Sequence, residues 1–135
     1  MEQKPIPSLM TMVHERIASK VDSISMDAEV ILMRNKSLAE VVDEILYKTI
    51  NLLIKEDKTY RIDIIIHKDA EIPDWSEFVI FIRIFAKRFE EIFRIWKKIE
   101  EEAEDVMNRV KEEDIGKVLE IDRINRNLAI FVDEL

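Results

Sequence analysis

The stretch Thr59–Ile99 constrains the fold most. It reads TYRIDIIIH, KDAEIPDWSE, FVIFIRIF and then AKRFEEIFRIWKKI, and it holds five of the six Phe (78, 81, 85, 89, 93) and both Trp (75, 96). Aromatic side chains bury the most area per residue, so the core is expected here. Tyr60, Ile62, Ile64 and Ile66 alternate with Arg61, Asp63 and His67, the period-two pattern of a half-buried strand over 59–67. Pro73 and Asp74 mark a loop, and Trp75 within it is expected to fold back onto the core.

Residues 78–85 are β-branched or aromatic except Arg83. Such side chains lose rotamer freedom in a helix and fit a pleated sheet, which predicts a strand at 77–85 and a helix at 86–114. The apolar spacing 78, 82, 85, 89, 92, 96, 99, 103, 106, 110 also permits one long helix over 76–114, giving a mostly α alternative.

Upstream, Ser8 after Pro7 predicts a helix at 8–22 with Met10, Val13, Ile17 and Val21 on one face. Alternation of Ile24, Met26, Ala28, Val30 and Leu32 with polar residues predicts a strand at 24–33. The four- and three-residue steps among Ile24, Ala28 and Ile31 leave a helix open. Ser37 and Glu40 form a capping box for a helix at 37–56. Downstream, Gly116 is expected to supply a left-handed stop. A short helical turn follows at 117–124, broken by Asn125–Asn127, and LAIFVDE predicts a strand at 128–133, with a terminal helix as the alternative.

The expected fold is therefore α+β in a single domain, 1–135. An N-terminal helix precedes a ferredoxin-like (split βαβ) βαββαβ unit with a long second helix and an antiparallel sheet. That fold hosts many functions and implies none.

The chain has no Cys, which excludes disulfides, thiol catalysis and Cys-ligated zinc. One Gly leaves no phosphate-cradling or dinucleotide loop. The N-terminus is unlike a signal peptide, and no apolar run is long enough to span a membrane, so the expected location is the cytoplasm. No cofactor is implied. Abundant Lys and Glu beside a single Gln resemble a heat-adapted composition.

Three function classes remain. Asp63 and His67, with Asp69 nearby, could serve a metal-dependent enzyme, although a polar rim explains them as well. Phe81, Arg83 and Phe85 could stack and pair nucleic acid from an open sheet face, but the net charge of −8 opposes a polyanion. The basic run Arg83, Lys87, Arg88, Arg94, Lys97 and Lys98 is expected to be a solvated helix face with pairs such as Glu90–Arg94.

The third class, an interaction or regulatory protein, has the most behind it. A helix over 86–114 overhangs a short strand, and its stripe Ala103, Val106, Met107 and Val110 then needs a cover. So does a sheet face carrying Phe81 and Phe85. The expectation is a homodimer, or a subunit of a larger complex with a protein partner, that uses one of these surfaces.

Overall fold

A computed structural model describes residues 9–68 and 76–135. The expectations for Ser8 and Trp75 lie outside these residues. The described chain is mixed, with five helices and a four-stranded sheet. The order is α1 (Leu9–Lys20), β1 (Ser23–Ile24), α2 (Met26–Arg34), α3 (Lys36–Lys55), β2 (Tyr60–Lys68), β3 (Ser76–Ile84), α4 (Phe89–Glu113), a 3-10 turn (Ile115–Lys117), α5 (Val118–Asn127) and β4 (Leu128–Glu134).

β2 and β3 form the centre, an antiparallel hairpin paired from Tyr60↔Ile84 to Lys68↔Ser76. This excludes the single helix over 76–114. β1 adds to β2 and β4 adds to β3, both in parallel, so the sheet order is β1-β2-β3-β4. The βαββαβ succession is present, but the sheet is mixed, and the antiparallel ferredoxin-like arrangement is not the one found. The hairpin reverses direction between two crossovers that lie on the same sheet face, so the crossovers have opposite hands. One therefore departs from the right-handed rule.

Four local readings change, the first being that Asn125–Asn127 do not break the helical turn expected at 117–124, because α5 continues through Asn127. Residues 24–33 are not a strand: only Ser23–Ile24 pairs with β2, and α2 begins at Met26. Ser25 caps it, its hydroxyl accepting from the Ala28 N–H at 3.3 Å, and Asp27 and Glu29 occupy the favourable first turn. Ala28 and Leu32, one turn apart, carry its buried side. α3 is capped by Asn35, whose Oδ1 accepts from the Leu38 N–H at 3.0 Å, while Ser37 is buried inside the first turn. Gly116 is not left-handed. α4 stops at Asp114, in an extended conformation, and the Asp114 carboxylate accepts from the Gly116 N–H. The one non-glycine residue with positive φ among those described is Asp57, at the turn from α3 to β2.

One buried cluster joins the elements. Ile62, Ile64, Phe78, Ile80, Ile82 and Ile84 form the inner sheet face beneath α3 and α4. α1 packs outside α3 through Val13 and Ile17, and α5 adds Ile121 and Ile124 beside the far half of α4. Among the described residues no helix is long and apolar enough to cross a membrane.

Candidate interaction surface

α4 has a wider apolar arc than the core uses. Ile92, Ile95 and Ile99 point inward and are buried. On a helix of 3.6 residues per turn, Phe93 lies about 100° round from Ile92, one position past it, and Phe89, three positions before Ile92, lies about 60° round on the same side. They are 66% and 57% exposed. Their rings meet edge to face at 5.4 Å, Phe93 meets Trp96 at 6.1 Å, and Trp96 meets Phe131 of β4 at 5.9 Å. A four-ring ladder thus runs from the start of α4 to the sheet edge. With roughly 200 Å² per ring, Phe89, Phe93 and Phe131 leave on the order of 300 Å² of aromatic surface in water. A groove of 620 Å³ between α4 and β4 continues the ladder past Glu100, Glu104 and Lys111.

Trp96 fixes the ladder to the sheet. Its indole N–H donates to the Ile130 carbonyl at 2.8 Å, occupying an outward-facing acceptor of the edge strand. The Glu134 N–H is taken by the Asp133 carboxylate at 2.7 Å. Both contacts blunt the β4 edge against addition of another strand.

The other expected sites sit differently. The stripe Ala103, Val106 and Met107 is buried in the chain's own core and Val110 is half-buried, because α3 and α5 lie over it. The far half of α4 therefore needs no second subunit to cover it. Phe81 is half-buried under the Arg83 guanidinium, 5.0 Å above its ring. A stacking base would have to displace that cation. Phe85, just past β3, is 60% exposed.

Asp63 is 6% exposed on the outer sheet face. Arg61 donates to it twice, Nε at 3.0 Å and Nη2 at 3.1 Å. The Ser23 hydroxyl also donates to it, and Arg83 stands 3.6 Å away. Burial alone would push this carboxyl up. The hydrogen bonds from Ser23 and Arg61 and the charges of Arg61 and Arg83 outweigh burial and hold it below its ordinary value. His67 is four residues along β2, about 13 Å away at 3.3 Å per residue. It is exposed, with Glu77 at 4.0 Å. The two are not brought together, and Asp69 lies outside the described residues. No group of three His, Asp or Glu that could hold a metal occurs among those described.

The basic run divides. Arg94 makes a bidentate pair with Glu56 at 3.1 and 3.0 Å, in place of the expected Glu90, and Lys98 joins it at 3.1 Å. The hydrogen bonds from Arg94 and then Lys98 hold the Glu56 carboxyl down at about 2. Lys87, Arg88 and Lys97 are exposed on α4 or just before it.

No family model matches the chain, and no curated protein and no solved structure matches it.

Proposed function

We propose that the protein is a non-enzymatic interaction protein that works as a homodimer, or as a subunit of a larger assembly, in the cytoplasm. One observation carries this reading: in the ladder Phe89–Phe93–Trp96–Phe131 the three Phe rings stay exposed, although the same helix buries Ile92, Ile95, Ile99, Ala103, Val106 and Met107. Large aromatics in a contiguous exposed row are the residues from which interface anchors are built. The metal-dependent and nucleic-acid readings have less behind them. Asp63 is already engaged by two arginines, and Arg83 already covers Phe81.

The test is the solution mass at tens of micromolar by light scattering. The expected value is twice the 16.1 kDa chain, reduced to a single chain by Phe89→Glu with Phe93→Glu. A unit mass for the unmodified protein would overturn the homodimer.

A further inference from the structure

We infer that the second copy docks through α4 against α4, antiparallel, about a two-fold axis beside Phe93 and level with Arg94; this rests on the homodimer reading above. The charges of α4 are sorted by face. Those turned toward α3 or the turn before β2 are paired within the chain: Glu91 with Lys58, Arg94 and Lys98 with Glu56, Glu102 with Lys48, and Arg109 with Glu44. On the ladder side, none of Lys87, Arg88, Glu90, Lys97 and Glu100 has an ion-pair partner among the described residues. Unpaired charges of both signs thus flank the exposed aromatics.

Their order is self-complementary in one orientation. At 1.5 Å per residue, Lys97 lies about 4.5 Å beyond the level of Arg94 and Glu90 about 6 Å before it. Glu100 lies about 9 Å beyond and Arg88 about 9 Å before. A two-fold axis perpendicular to the helix at that level sets Lys97 beside Glu90 of the other copy, and Glu100 beside Arg88. It also lays Phe93 against its counterpart, about 3 Å apart along the axis, and sets Phe89 level with the Lys97–Glu100 stretch of the other copy, at the 8–10 Å axis separation of packed helices. Parallel pairing would set Lys97 on Lys97 and Glu100 on Glu100. Each contact occurs twice, as in any isologous interface. Strand addition at β4 is opposed by the indole on the Ile130 carbonyl and by Asp133 on the Glu134 N–H, so the contact is helix to helix.

The chain has no cysteine, so introduced pairs report cleanly. Glu90→Cys with Lys97→Cys places two thiols seven residues apart on one helix, about 10 Å, too far to bridge within a chain. Mild oxidation should therefore link two chains, while Asp105→Cys, facing away from the ladder, should stay single. Lys97→Glu alone and Glu90→Lys alone should each weaken the dimer about tenfold or more, because every reversal acts at two symmetry-related sites. Both reversals in one chain should restore affinity to within about threefold of the original, as the pair re-forms with its signs exchanged. If the unmodified protein is a monomer, the homodimer reading falls with this one, and a different protein occupies the ladder. If it is a dimer but the cysteine pair does not link and the reversals do not rescue each other, the antiparallel contact is wrong and the homodimer stands.

Discussion

Thr49 is the sharpest test of the packing between α3 and its neighbours. It is 0% exposed, and its hydroxyl has no hydrogen-bond partner among the described residues. A buried hydroxyl without a partner costs about 1–3 kcal/mol, the hydration lost on folding and not replaced. Valine has nearly the same shape and nearly the same helix propensity. Thr49→Val should therefore raise the unfolding free energy by about 1–2 kcal/mol, since the penalty disappears and a methyl fills the same space. For a chain of this length that corresponds to a melting temperature higher by about 3–8 °C. Thr49→Ser keeps the hydroxyl and deletes the methyl, and should cost about 1 kcal/mol through the small cavity. The assay is urea unfolding followed by far-ultraviolet circular dichroism, at one fixed protein concentration because a dimer shifts its apparent stability by mass action. A valine variant less stable than the original would refute the reasoning. It would mean that the hydroxyl is satisfied in solution, for instance by the carbonyl of the preceding turn.

The Glu56 carboxyl, held at about 2 against an ordinary 4.5, contributes stability that is fully present above pH 4.5 and is lost as pH falls toward 2. Glu56→Gln should remove that loss from the acid limb of an unfolding titration, and an unchanged limb would sink the claim. Trp96→Phe keeps an aromatic ring against Phe131 but removes the donor to the Ile130 carbonyl; a loss of about 1 kcal/mol in denaturant unfolding is expected, and no loss would mean water replaces the indole freely. Interhelical ion pairs such as Arg109–Glu44, Lys48–Glu102 and Lys111–Asp122 tie the helices together. Networks of this kind gain weight with temperature, so the calorimetric midpoint should exceed the ~45–65 °C of ordinary mesophilic domains, and a midpoint inside that range would remove the heat-adapted reading.

Where local chemistry and tertiary context agreed, the elements could be read from residues alone. Ile62–Ile66 and Phe78–Ile84 are so rich in β-branched and aromatic side chains that the hairpin overrode a competing helical spacing. Residues 24–33 went the other way because both parities carry apolar residues: Met26, Ala28, Val30 and Leu32 on one, Ile31 and Met33 on the other. An apparent alternation there does not distinguish a strand from a short amphipathic helix. Ser25, followed by Asp27 and Glu29, was the signal that could have decided it, since a capped and acidic first turn has no value to a strand. The sheet order was beyond reach. It depends on where two crossovers land beside a hairpin, and no residue in either crossover encodes that by itself.

The surface was harder to read than the fold, for a geometric reason. Ala103, Val106 and Met107 looked uncovered when the only known neighbour of α4 was a strand shorter than the helix. The cover comes from α3 and from α5, whose Ile121 and Ile124 reach the same core. Phe89 looked internal because it shares the three- and four-residue spacing of Ile92, Trp96 and Ile99, and Phe93 because it belongs to the aromatic-rich stretch expected to build the core. A period fixes only that residues lie along one helix, whereas the angular width of the apolar arc decides whether all of them can face one neighbour. On α4 the arc from Ile95 through Ile92 to Phe93 covers about 160° at 100° per residue, more than a core-facing stripe of about 100° requires. The excess could have been counted in the sequence. An arc wider than its core, completed by aromatics and flanked by unpaired charges of both signs, is the feature on which the proposed second partner of α4 rests.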